Sequence, residues 1–136
     1  MGNATSRQSE HICNILGLMQ CLALDSETNL PFLRSGAHIH LYGFLAISGQ
    51  ARHFERIRVT ALSVFAALVK SPSDQVLDFL LNSEFMVSCL TAMKRGNGLT
   101  RTVSTFILKK ILMDGRGVQF FCQEETTLYL VSPYKP

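Results

Sequence analysis

Apolar residues recur along this chain three and four positions apart, the spacing that aligns side chains on one face of a helix. Ile12, Ile15, Leu16, Met19 and Leu22 form the first such stripe, and Asp25-Ser26-Glu27 ends it or caps the next helix. Phe32-Leu33 belongs to a short helix that Ser35-Gly36 closes. Residues 39–47 predict another, closed by Ser48-Gly49. Residues 54–69 are apolar almost all round, which predicts a long helix buried inside the molecule rather than lying on its surface. Ser71-Pro72-Ser73-Asp74 reads as a stop followed by an N-cap. Helices over 76–81, 85–93 and 99–113 come next, separated by Asn82-Ser83 and Gly96-Asn97-Gly98. Gly115-Arg116-Gly117 then breaks the chain before one last helix. Strict alternation over a strand length is missing, and no hairpin signal joins alternating runs. The pattern predicts an all-α fold.

Aligning the predicted helices brings out a repeat. Leu30-Pro31-Phe32-Leu33 returns as Leu77-Asp78-Phe79-Leu80 and, more loosely, as Val118-Gln119-Phe120-Phe121, with starts 47 and then 41 residues apart. Each of the first two opens a short helix, a medium helix, a glycine-bearing loop and a long apolar helix. The long helices also align, Arg58-Val59-Thr60-Ala61 against Arg101-Thr102-Val103-Ser104. A period of about 40–47 residues with two or three helices per unit is the signature of an armadillo-like helical repeat, an α-solenoid. The expected domain covers residues 10–123, with about two full repeats and partial ones at both ends. Residues 1–9 are expected to be a flexible lead. Residues 124–136, with Pro133, Pro136 and no helical period, are expected to be a non-helical tail.

Composition agrees with this picture. Of 136 residues 47% are hydrophobic and 17% charged, too apolar for a disordered chain. Interior solenoid repeats bury their faces against neighbours and so carry more apolar residues than a lone domain. Cys13, Cys21, Cys89 and Cys122 form no C-x-x-C pair and sit in apolar runs, as free buried thiols do. Free thiols suit a reducing compartment, so the cytoplasm is expected, with the nucleus open as well. No segment reaches the ~18 apolar residues of a membrane helix. Met1-Gly2-Asn3-Ala4-Thr5-Ser6 fits the N-myristoylation pattern, but its two fixed positions match often by chance, so no acyl anchor is expected at Gly2.

Catalytic chemistry finds little footing. His38 and His40 are two residues apart, about 200° around a helix, and cannot share a metal. His11 and His53 complete no ligand spacing. There is no G-x-S-x-G, and the short glycine clusters lack the Gly-Lys-Ser/Thr of a phosphate loop. Asp25, Glu27, Asp74, Asp78 and Glu84 sit at predicted helix starts, where carboxylates complement the helix dipole. The expectation is no enzyme, no cofactor, no metal and no small-molecule substrate.

Charge is more informative. The net charge is +3. Arg52, Arg56 and Arg58 open the first long helix, Lys94, Arg95 and Arg101 flank the start of the second, and Lys109-Lys110 lie further along it. If the two repeats stack, Arg52, Arg58 and Arg101 line up as a basic stripe, a candidate site for RNA or single-stranded DNA. Phe54 and Phe106 near it have core spacing, which weakens base stacking. Peptide capture in the groove of stacked helices is favoured instead, with the small Thr60, Ser63, Thr102 and Thr105 leaving room for a partner's side chain.

The long helices carry a recognisable set of motifs. They are Cys13-Asn14 with Gln20-Cys21, Glu27-Thr28, Phe32-Leu33, Phe54-Glu55, Ala67-Leu68-Val69-Lys70, Phe79-Leu80-Leu81, Thr102-Val103, Thr105-Phe106-Ile107-Leu108, Lys110-Ile111-Leu112 and Cys122-Gln123. Over residues 12–123 the chain resembles the required-for-cell-differentiation (Rcd-type) family, the armadillo-repeat subunit of the CCR–NOT deadenylase complex. The resemblance implies a scaffold without catalytic activity that docks on the central NOT scaffold protein and other CCR–NOT subunits. It also implies acceptance of short linear motifs from mRNA regulators, and nucleic-acid binding through a basic cleft. By position, Thr102 and Val103 match the family's partner-binding face, with Phe106 beside them, and Arg58 and Arg101 are basic where the family is basic. The chain departs from the family at His53 and Arg56, where Pro and then Tyr are typical, and at Ser63, where the family has glycine. Arg56 and Ser63 therefore join Thr102, Val103 and Phe106 in the expected partner-binding set. The family's helices before residue 12 and its last repeats are expected to be absent, which describes a shortened, diverged member. The alternatives are a nucleic-acid module using Arg52, Arg58 and Arg101, or a degenerate paralogue that has lost binding.

Overall fold

The computed structural model describes residues 2–47, 49, 51–96 and 98–123; the tail expected to be non-helical lies outside the described residues. The described residues form eight helices: α1 (Gly2–Leu24), α2 (Asn29–Arg34), α3 (Ile39–Leu45), α4 (Arg52–Lys70), α5 (Asp74–Leu81), α6 (Phe85–Arg95), α7 (Gly98–Leu112) and α8 (Gly115–Phe121). The fold is an all-α helical repeat. Helices α2, α3 and α4 make one unit and α5, α6 and α7 the next. Equivalent helices stack, α2 on α5, α3 on α6 and α4 on α7, while α1 packs on α4 and α8 on α5. Thus α1 takes the place of the last helix of a preceding unit and α8 that of the first helix of a following one.

Local chemistry sets most boundaries. Ser73 has extended backbone and its side chain accepts the Val76 N–H, the N-cap expected after Pro72. Gly36 follows α2 with φ 81°, a left-handed conformation that glycine adopts without a Cβ penalty. Eight side chains of α4 are buried, from Ile57 to Val69, so this helix is the central layer. Phe65 stacks on Phe85 with centroids 4.3 Å apart and on Tyr42 at 5.9 Å, joining α4 to the middle helices of both units.

The structure corrects four local expectations. Of residues 1–9, expected as a flexible lead, the described ones, 2–9, belong to α1; no proline interrupts it, and Ser9 is buried with its hydroxyl toward the His53 carbonyl at 3.4 Å. Gly115-Arg116-Gly117 does not break the chain but forms the first turn of α8. The Asp114 carboxylate caps that turn by accepting the Arg116 N–H at 2.9 Å. Asp78 is not at a helix start; it lies inside α5 and pairs with Arg116 at 3.5 Å, beside the Arg116–Asp74 pair at 3.2 Å. Finally, only Cys13 and Cys89 are buried, whereas Cys21 and Cys122 are exposed free thiols. An apolar run around a helix has an outer side too, and these two fall on it.

Candidate functional site

The long helices α1, α4 and α7 run side by side in the same direction. At their starts, Ser9 of α1 meets His53 of α4, and Glu55 of α4 meets Thr100 of α7. At their ends, Leu24, Lys70 and Lys110 border one groove. The join at the starts is polar and tight. One Glu55 carboxylate oxygen accepts both the Thr100 N–H, at 3.2 Å, and the Thr100 hydroxyl. The other accepts from Arg58 at 3.3 Å. Burial alone would raise the Glu55 pKa, but the hydrogen bonds from Thr100 and the Arg58 charge hold it below the ordinary carboxylate value.

The groove has a volume of about 700 Å³. From α4 it takes Ser63, Ala66, Ala67 and Lys70; from α7 it takes Thr102, Val103, Phe106 and Lys110. These positions repeat at three and four, so each helix gives the groove one stripe. The hydroxyls do not make it polar. Ser63 donates to the Val59 carbonyl at 2.9 Å and Thr102 to the Gly98 carbonyl at 3.3 Å, each within its own helix. What remains for a ligand is a shallow apolar floor, with Phe106 40% exposed. The core assignment made for Phe106 from spacing is therefore corrected: its ring walls the groove.

The expected partner-binding residues divide accordingly. Ser63, Thr102, Val103 and Phe106 come together. Arg56 lies two turns before Ser63 on α4, exposed and outside the groove lining. The expected nucleic-acid residues divide as well. Arg52 and Arg101 are exposed. Arg58 is turned inward, its side chain 12% exposed, donating to the carbonyls of Ile47 at 2.8 Å and Gly49 at 3.0 Å and pairing with Glu55. Its charge fastens the loop before α4. A second cavity of about 330 Å³ lies beside it, among that loop, the end of α6 and the start of α7. Sequence reasoning did not place Gln20, Leu24, Ala66, Ala67, Lys70 and Lys110 in the groove; the stripe 63, 66, 70 and its counterpart 103, 106, 110 were the available signal.

Among the described residues no three His, Cys, Asp or Glu side chains gather as a metal site. Burial pushes the Cys89 thiol up to about 12, far from a thiolate nucleophile. His38 is buried against Tyr42 and Phe79, whereas His40 is exposed, as their spacing predicts.

Repeated three-helix units and a groove between their parallel long helices define an armadillo-like helical-repeat protein. Known proteins narrow the class. The chain matches the Cell differentiation family, Rcd1-like, over residues 1–134, beyond both ends of the stretch in which motifs were recognised. It is 40% identical over 128 residues to the "Cell differentiation protein rcd1" of Schizosaccharomyces pombe, covering 94% of this chain and 45% of that protein. It is 40% identical over 124 residues to "Protein CAF40" of Saccharomyces cerevisiae, covering 91% of this chain and 33% of that protein. The chain belongs to the Rcd1-like cell differentiation family, and it spans less than half the length of these two relatives.

Proposed function

We propose that this chain is a non-catalytic adaptor of the CCR–NOT deadenylase complex, acting in mRNA deadenylation and decay by holding protein segments in the groove between α4 and α7. The supporting observation is the convergence of Ser63, Thr102, Val103 and Phe106 on one apolar groove in a member of the Rcd1-like family. A rigid stack presents such a groove preformed, so a segment that enters loses its own freedom but does not reorder the protein. The hydroxyl side chains, bonded to their own helices, ask for no hydrogen bond from the ligand. Affinity therefore comes from apolar anchors packed on Val103 and Phe106. Replacement of the family's tyrosine by Arg56 and of its glycine by Ser63 alters the upstream approach to this floor and narrows it. The partners differ accordingly from those of a typical family member. The nucleic-acid reading is the weaker one, because Arg58 already serves Glu55 and two carbonyls, which leaves Arg52 and Arg101 without the third member of the stripe.

The test is affinity purification of the tagged full chain from its own cells, read by mass spectrometry. Recovery of the central NOT scaffold protein and the deadenylase subunits is the expected result. A folded, soluble bait that recovers none of them overturns the assignment to the complex.

A further inference from the structure

The groove carries charge of one sign at one end. Lys70, in the last turn of α4, and Lys110, near the end of α7, both line it, and among the described residues no carboxylate does. Lys110 holds its ammonium 5.8 Å from the centre of the Phe106 ring, against the apolar floor. The carboxylate nearest in sequence on α1's side, Asp25, accepts the Glu27 N–H at 3.1 Å. Glu55, Asp74 and Asp78 are engaged by Arg58 and Arg116. Among the described residues neither lysine is paired with a carboxylate. Lysines near helix ends offset the partial negative charge of the last carbonyls, and they do so from any side of the helix. Here both stand on the groove side, next to the residues that would hold an apolar anchor.

Resting on the reading of the groove as a protein-binding surface, we propose that the segment it selects is acidic at one end. One or two Asp or Glu side chains lie against Lys70 and Lys110, adjoining apolar anchors on Val103 and Phe106. The charge fixes the direction in which the segment lies, acidic end toward the ends of α4 and α7. An apolar anchor excludes water from the same spot, which strengthens the ion pairs over those of a fully solvated rim. A segment with lysine or arginine at that end meets two like charges and is rejected.

A random peptide library displayed on phage, selected on the immobilised full chain, supplies the probe. The strongest peptide is then synthesised with a fluorophore and titrated with wild type, Val103→Glu, and the double variant Lys70→Glu with Lys110→Glu. The expected peptide joins bulky apolar residues to Asp or Glu. Its affinity falls about tenfold or more in both variants. The same peptide with its acids changed to lysine binds the double variant better than wild type, a gain that misfolding cannot produce. A peptide lost in Val103→Glu but unaffected by the double charge reversal overturns the acidic preference and leaves the groove reading standing. A peptide indifferent to all three changes, or a selection that enriches nothing, overturns both. An oligouridylate that binds through Lys70 and Lys110 and displaces the peptide overturns the acidic-peptide assignment in favour of a nucleic acid.

Discussion

His38 is 4% exposed, wedged edge-on between Tyr42 and Phe79, with Nδ1 lacking a hydrogen-bond partner. Burial lowers its pKa from the ordinary 6.5, only partly offset by a hydrogen bond with the Leu33 backbone. The folded chain therefore holds this imidazole neutral while the unfolded chain takes up a proton below 6.5. Its contribution is fully present above that pH and is lost as pH falls from there through the lower folded value. Urea midpoints should drop between pH 7.5 and pH 5.5, and His38→Leu should flatten that segment of the profile. Glu55 acts in the same direction but at lower pH, its stabilisation present above 4.5 and lost as the carboxylate protonates. Removing it in Glu55→Ala leaves the buried Thr100 hydroxyl without its acceptor and Arg58 without its counter-charge. The expected cost is about 1–3 kcal/mol, read from urea unfolding at neutral pH. Neither role was legible in the sequence. A lone histidine on an apolar stretch and a glutamate in a first turn are ordinary, and Thr100, which binds Glu55, lies 45 residues away.

At the scale of the elements, every helix with an apolar stripe at three-and-four spacing was legible, because the core of a solenoid is built from those stripes. The two misread ends share a cause. Glycines and polar residues read as breakers when only propensity is counted, but packing overrides propensity. Gly117 is buried, and a Cβ there would lie 2.0 Å from the Ile111 carbonyl oxygen. Glycine is needed at that position for close approach of α8 to the end of α7, not to stop the chain. Gly117→Ala should cost about 1–3 kcal/mol, because the backbone must move apart. Ser73→Ala should cost about 1 kcal/mol through loss of the α5 cap. Both changes are read as shifts in the urea midpoint at constant slope.

For the whole molecule, the repeat period dictated the stacking, and the stacking dictated the groove. The family resemblance is what named Ser63, Thr102, Val103 and Phe106 together, and the stacking of α4 on α7 puts them on one groove. Arg58 was misplaced because a basic residue at a helix start looks the same whether it faces solvent or clamps a loop. Of the groove lysines only Lys110 was read as a charge, and its shared side with Lys70 follows only from the parallel course of α4 and α7. At both ends of the stack apolar side chains stay exposed, Leu18 of α1 at 69% and Met113 after α7 at 79%. Such faces are what neighbouring repeats cover in a solenoid, and the two relatives compared are more than twice as long. The groove lies between these ends, lined by residues of α1, α4 and α7.

The claim that this groove is the binding surface is tested most directly by one comparison in the cells that make the protein. Wild type and Val103→Glu are expressed with the same tag at the same level, and recovered proteins are quantified by mass spectrometry. Val103 is only half-buried, so a glutamate there can reach water and the variant should match the wild type in helicity and unfolding midpoint. An unpaired carboxylate on the apolar floor must be desolvated by any segment that docks. Partners held through the groove should therefore fall about tenfold or more in the variant. Equal recovery of every partner by two equally folded baits would contradict the account.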